Sequence, residues 1–389
     1  MLFVVAPFES ENICKDITSR NLEIIREVGR TKAMLILSDF DHRYKKRNCR
    51  NEIKDKLERN GFQYAFMRAV QYQSNISLKR VLSNFVFSLS LFFFLLKTAR
   101  RDDRIFINAI PPEIVFFCSI IKLIKGVEVI LDVRDIWPDA LVNLKDGSSF
   151  KVSLFKLYCT IAYLVSLRCV DRVSYVAPSF LPWLSRWGLN KKRHQLIPLG
   201  FDEVRWQCVG EVEELVDRNC VNLVYIGYLS HQFDLTKVIE AVSELQGIKL
   251  HVIGGGANYE NMLKAYAQNN SVVFYGMRSP KWISTNARQF DIGVLPLRQG
   301  GGALLPNKFF DYLAAELPIL SYGSPDVRNI VDKNGVGWSV QENKSEISKA
   351  LSEISLSEIS IKKNKLHLLR SEMTMQKMAQ DVSHLINNG

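Results

Sequence analysis

A lysine and an aspartate one helical turn apart, Lys308 and Asp311, follow a run of three glycines, Gly300–Gly302, in the stretch GVLPLRQGGGALLPNKFFDYLAAELPIL. An apolar strand is expected before the glycines, over 292–297, and an amphipathic helix after them, from about Pro306. Strand, glycine loop and helix N-terminus together suit a phosphate. The free N–H groups of the first turn point at the ligand, and the macrodipole adds about half a positive charge. Lys308 would supply a full charge there. Asp311, on roughly the same face, could accept hydroxyls from a ribose or a sugar. The plainer alternative is a glycine turn followed by a solvated helix face.

A second constellation, Asp132, Arg134, Asp135 and Asp139, lies in LDVRDIWPDA at the end of a buried-type strand. A carboxylate at such a position can act as general base on a hydroxyl. Asp135 is the preferred base because it falls in the loop rather than on the strand. Arg134 could hold a phosphate or orient that carboxylate. The alternative is an Arg–Asp cluster that only ties down a loop. Gly254–Gly256 and the group Gly276, Met277, Arg278 end two further strands, where backbone can approach a ligand or a neighbouring helix. His194, His231 and His251 have no ligand-like spacing and are taken as surface or core residues. The patterns GxxxxGK[ST], HExxH and GxSxG are absent, which sets aside P-loop hydrolases, zinc proteases and serine hydrolases.

The elements that must hold these residues alternate. Strands are expected at 2–6, 34–38, 64–70, 105–109, 127–133, 172–177 and 194–199, with helices between them. After a loop at 199–206 the alternation restarts, with strands at 221–226, 249–253, 272–275, 292–297 and 337–340, and another reached through Pro318. The expectation is an α/β protein of two doubly wound, Rossmann-like parallel sheets with ligands at the carboxyl ends of their strands, in a cleft. The domains would span 1–200 and 201–370, with a helix at 371–389 packing back toward the first. Two independent Rossmann-type domains without a shared cleft are the alternative.

With 389 residues the chain is long enough for two cores. Its 47% hydrophobic and 23% charged residues describe a folded protein, and a net charge of +11 favours an anionic partner. Arg43, Lys45, Lys46, Arg47, Arg50 and Lys54 form one dense basic run. Seven cysteines without CxxC spacing suit reduced thiols, with neither a zinc site nor a disulfide framework. The opening MLFVVAPFESEN lacks the basic n-region and cleavage site of a secretory signal, so a cytoplasmic location is expected. The segment 81–96, VLSNFVFSLSLFFFLL, is flanked by Lys79, Arg80, Lys97, Arg100 and Arg101. It is shorter than the ~20 residues of a spanning helix. It reads either as a buried core helix or as a helix lying on an anionic bilayer.

Taken in order, LDVRDIWPD, LIPLGFD, LVYIGYLS, LHVIGGG, VVFYGM and LPNKFFDYLAAELPIL resemble GT-B glycosyltransferases, most nearly family 4 members that build bacterial surface polysaccharides. The likeness runs from about Ile105 to Val340. It implies two Rossmann-like domains facing a cleft and a nucleotide-sugar donor, UDP most of all. It also implies a lipid-linked saccharide acceptor on the cytoplasmic membrane face, and no nucleic acid, cofactor or metal. By position, Lys308 would contact the donor diphosphate, Gly302, Leu304 and Leu305 would offer backbone groups to it, and Asp311 would take the ribose. Gly276, Met277 and Arg278 would meet the base, Gly227, Tyr228 and Gly254 would line the donor side, and Asp135 falls in the acceptor-side loop. Three departures are visible. Ala303 replaces the first glutamate of E-x7-E, Glu316 replaces a usual glycine, and GYLSHQF carries Tyr228 and Phe233 where the family has basic residues. These are similar to xanthan-type inverting glucuronosyltransferases, so retention and inversion both stay open. The alternatives are a non-hydrolysing nucleotide-sugar epimerase and a non-catalytic binding relative.

Overall fold

The computed structural model describes residues 1–40, 49–73, 77–139, 150–207, 210–230, 232–256, 258–298 and 305–388. The chain divides into two units, Met1–Pro198 with Met378–Gly389, and Leu199–Lys377.

The first unit is built on seven parallel strands: β1 (Leu2–Val5), β2 (Ala33–Ser38), β3 (Gln63–Met67), β4 (Arg104–Asn108), β5 (Glu128–Val133), β6 (Arg172–Tyr175) and β7 (Arg193–Leu196). Their spatial order is β3-β2-β1-β4-β5-β6-β7, with Val4 opposite both Leu35 and Phe106. Strands covered by helices on both faces need unbroken apolar runs rather than alternation. LFVV and the centre of RIFIN meet that need, with every residue of β1 buried. Helices start where the sequence offers caps. Ser19 accepts from Leu22 N–H before the helix Arg20–Val28, and Gly126 closes Pro112–Lys125 in the left-handed conformation at φ 73°. The last helix, Met375–Asn387, belongs to this unit from Met378 onward. Arg172 Nη1 donates to Ile386 O at 3.0 Å, and Arg104 Nη1 to Asn387 Oδ1 at 3.2 Å.

The second unit carries β8 (Val221–Ile226), β9 (Ile248–Ile253), β10 (Val272–Gly276), β11 (Ile292–Pro296), β12 (Ile319–Tyr322) and β13 (Gly337–Ser339), in the order β10-β9-β8-β11-β12-β13, again all parallel. Both sheets reverse direction of strand addition once, beside β1 and β4 in the first and beside β8 and β11 in the second. Those points are where doubly wound sheets leave a crevice at their carboxyl ends.

Several local expectations change. The basic run is followed by a helix, Cys49–Arg59, that no apolar period announced, while Arg43, Lys45, Lys46 and Arg47 lie outside the described residues. The apolar segment at 81–96 is the middle of a longer helix, Leu78–Thr98, of 21 residues, because Ser77 caps it and accepts from Arg80 N–H. By length and composition it can cross a membrane. The loop at 199–206 contains the start of a helix, Glu203–Gln207, and Phe201 bridges to Thr374. A helix at Pro325–Asn334, capped by Ser324, was not foreseen.

Candidate active site

The second unit brings the ends of β8, β9 and β10 into contact through glycine. Gly254 N–H donates to Gly276 O and Gly227 N–H to Ile253 O, each at 2.9 Å. A Cβ on Gly254 would lie 1.9 Å from Gly227 O, and its φ of 150° already disfavours a side chain. The Gly276 N–H is taken by Tyr259 Oη at 2.8 Å. The N–H groups of Gly227 and Gly254 therefore join strand ends to each other, and that of Gly276 joins its strand to the helix Tyr259–Tyr266. The outward groups of this cluster are the side chains of Tyr228, 59% exposed, Met277, 75% exposed, and Arg278, which stacks over the Trp282 ring at 5.1 Å.

The loop after β8 is stitched to the end of β11. Phe233 bridges Leu297, Arg298 N–H donates to Gln232 O at 2.9 Å, and Asp234 N–H to Pro296 O at 3.2 Å. Tyr312 locks the same two strands from the helix side: its hydroxyl accepts from Ile226 N–H at 3.1 Å and donates to Val294 O at 2.8 Å. Gly293 makes this possible, since a Cβ there would sit 2.6 Å from the Tyr312 ring. The helix Asn307–Ala314 starts from Pro306 with no side chain capping its N-terminus.

Lys308 stands in that first turn. Its stem passes over Gly227, where a Cβ would meet Lys308 Cε at 2.7 Å, so the glycine at 227 is a seat for the lysine. Its ammonium lies 3.8 Å from the Phe233 ring centre and 5.3 Å from that of Tyr225, and donates weakly to Tyr228 O at 3.5 Å. Among the described residues no carboxylate is within ion-pair range of it. Burial, opposed only by Asp311, pulls its pKa down from 10.5 to about 8. Asp311 is partly buried too. Burial raises its carboxyl above the usual range while Arg205, at 3.8 Å, and Lys308 oppose the rise.

Sequence reasoning missed two of these partners. Phe233 counted as a lost basic residue, yet its ring faces the Lys308 ammonium, a contact that a cation at 233 would turn into repulsion. Arg205 sat in a stretch read as loop. Glu316 also gains an account: its φ is 61°, the conformation that glycine adopts without strain, and Arg370 at 2.8 Å and Arg288 at 3.6 Å hold its side chain. Leu305 is buried, while Gly302, Ala303, Leu304 and His231 lie outside the described residues.

In the first unit the carboxylates separate by role. Asp132 is fully buried at the end of β5. Arg20 grips it with Nε–Oδ2 and Nη2–Oδ1 at 3.0 Å each, Arg134 Nε adds a bond of 2.6 Å to Oδ2, and Ser174 Oγ donates to Oδ1 at 2.6 Å. Burial works against its charge, but the two guanidiniums and the hydroxyl hold it at about 2. Arg134 also reaches Asn21 Oδ1 at 2.6 Å, and Asn21 donates to the buried Glu9. Arg134 thus ties Asp132, at the end of the strand, to Asn21. Asp139 pairs with Arg186 at 2.6 Å. Asp135 lies in the loop and is exposed. His251 is a core residue and His194 is exposed.

Residues 220–356 match the family model described as Glycosyl transferases group 1. No curated protein sequence matches the chain. Among solved structures, the Anabaena protein Alr3699/HepE in complex with UDP is similar over 100% of this chain and 99% of its own, with TM-score 0.65 and 14% identity. WaaG, a glycosyltransferase involved in lipopolysaccharide biosynthesis, is similar over 100% of both chains (TM-score 0.64, 11% identity). Sucrose-phosphate synthase from Thermosynechococcus elongatus is similar over 100% of this chain and 98% of its own (TM-score 0.69, 11% identity). Two parallel Rossmann-like sheets and these likenesses converge: the chain has the GT-B fold, and its residues 220–356 match a glycosyl transferases group 1 domain.

Proposed function

We propose that the chain is a glycosyltransferase that moves a sugar from a UDP-linked donor to a lipid-linked saccharide in the assembly of a bacterial surface polysaccharide. The observation that carries the reading is Lys308. A desolvated ammonium, seated on Gly227 and Phe233 in the first turn of an uncapped helix, is a ready counter-charge for a diphosphate. Charge that develops on the leaving diphosphate is offset by that ammonium and the helix dipole. Asp311 accepts the ribose hydroxyls, and the loop side chains Tyr228, Met277 and Arg278 meet the base. In an inverting reaction Asp135 takes the proton of the acceptor hydroxyl. The complex of the Anabaena neighbour with UDP supports the choice of nucleotide, and the involvement of WaaG in lipopolysaccharide biosynthesis supports the acceptor class.

Thermal shifts of the purified chain with UDP, GDP, CDP and ADP, each with and without magnesium, test the reading. A nucleotide at about 100 times its Kd adds roughly 2.7 kcal/mol to the native state. UDP should shift the melt, and Lys308→Ala should cut the gain to about 0.3–1.4 kcal/mol at the same UDP concentration while keeping the unliganded melt close to wild type. No shift with any nucleotide would remove the donor site. Release of UDP from the donor only when acceptor is present separates transfer from epimerisation.

A further inference from the structure

On one side of the first unit's sheet, three helices form a layer: Leu78–Thr98, Pro112–Lys125 and Phe150–Ser166. Phe117 of the second contacts Phe85 and Phe92 of the first, and Ser119 Oγ of the second donates to Ser166 O of the third at 2.9 Å. The outer surface of this layer is apolar where a solvated helix would be polar. On Phe150–Ser166 the inward positions are Cys159, Tyr163 and Ser166, whereas Leu154, Leu157, Ile161, Leu164 and Val165 are 49–59% exposed on the opposite side.

Leu78–Thr98 likewise leaves large apolar side chains exposed. Its buried face holds Ser83, Asn84 and Ser88 beside Phe87, Leu91 and Leu95, while Leu78, Leu82, Phe85 and Phe93 are 89%, 50%, 46% and 61% exposed. Leu123 and Ile124 continue the apolar surface at the end of the middle helix, at 75% and 55% exposure. Solvated proteins rarely show so much contiguous aliphatic and aromatic surface.

Charge decides what covers it. The only acidic residue in the three helices is Glu113, and it is buried. Lys79, Lys97 and Lys156 are exposed on them, and just beyond their ends Arg100, Arg101 and Arg168 are exposed against one acid, Asp102. A second copy of this face would set like charges against each other. An anionic bilayer meets both features, taking the aliphatic side chains below its headgroups and the cations at them. The helix Leu78–Thr98 packs by Phe94 on Phe3 of β1 and by Ser90 on Met67 of β3, which fixes it along the unit.

We propose that this three-helix face is a monotopic docking surface that lies flat on an anionic lipid bilayer. The inference rests on the first unit alone and stands whether or not the donor reading holds.

Flotation of the full-length chain with vesicles of phosphatidylcholine, plain or with about one third phosphatidylglycerol, tests it, since each Lys or Arg at an anionic surface contributes about fivefold to partitioning. The chain should float with the anionic vesicles at low salt and far less with the plain ones. Leu157→Glu with Ile161→Glu should lower partitioning at least about tenfold, and Leu368→Glu, an exposed leucine of the second unit, should leave it unchanged. If the double glutamate variant fails to fold, Lys79→Gln with Lys97→Gln should still lower partitioning about 25-fold. Absence of flotation with anionic vesicles would overturn the proposal. So would flotation equal for wild type and the folded variants, or a lipid-free dimer that Leu157→Glu with Ile161→Glu dissolves.

Discussion

If Lys308 is the counter-charge for a diphosphate, its depressed pKa makes nucleotide binding depend on pH where an ordinary lysine would not. In the unliganded protein the ammonium titrates at about 8. A bound diphosphate holds the proton, so the Kd for UDP should be flat below about pH 8 and rise above it by up to tenfold per unit, reaching about tenfold by pH 9. Isothermal titration between pH 7.5 and 9 keeps the phosphates fully ionised throughout. Lys308→Arg keeps its charge over this range and should bind with no such slope, which separates the lysine from any ionisation of the nucleotide. Lys308→Ala removes charge-assisted bonds worth about 1.5–3 kcal/mol, so its Kd should be roughly 10- to 150-fold weaker at pH 7.5 and also flat. Stability of the unliganded chain should move in the opposite direction. With the folded pKa below the ordinary 10.5, the burial penalty is fully present below about pH 8 and is relieved as pH rises toward 10.5, by at most about 3 kcal/mol. Identical pH profiles for wild type and Lys308→Arg would refute the reasoning.

Glu316 offers a local test, since its φ of 61° opposes a side chain while its carboxylate pairs with Arg370 and Arg288. Glu316→Gly relieves about 1 kcal/mol of strain and loses half-exposed pairs worth about 0–1, so it should be as stable as wild type or more so in urea unfolding. Glu316→Ala loses the pairs and keeps the strain; finding it more stable than the glycine variant would contradict the account. His251 supplies an acid-side test. Its Nε2 donates to Asn222 Oδ1 at 3.0 Å and its Nδ1 faces Tyr275 Oη at 2.9 Å, and burial, with Lys249 adding to it, lowers its pKa to about 4. The folded state thus refuses a proton that the unfolded chain accepts below 6.5. This stability is present above pH 6.5 and lost as pH falls toward 4, by about 2–3 kcal/mol at pH 4.5. His251→Asn should flatten that window in urea midpoints, and an equal slope in both proteins would exclude the histidine.

The sequence by itself determined the elements that its local patterns encode. Unbroken apolar runs such as LFVV and VNLVYI could only be covered strands, and their alternation with helices fixed two doubly wound sheets. The pairing of a strand, a glycine loop and Lys308 at a helix start was equally local, because a helix N-terminus attracts an anion wherever it is. What the sequence could not decide were pairings across long chain separations. Arg20 closes on Asp132 from 112 residues away, which holds that carboxylate in the core while Asp135 lies in the exposed loop. Phe233 meets Lys308 only because the loop after β8 is stitched to the end of β11. The left-handed turn at Glu316 and the aliphatic face of Phe150–Ser166 are likewise invisible in periodicity, since an apolar stripe looks the same whether a neighbour covers it or not. Propensity and period act over a few residues, whereas the order of strands decides which distant residues share a place, and so which charges are paired and which surfaces stay bare.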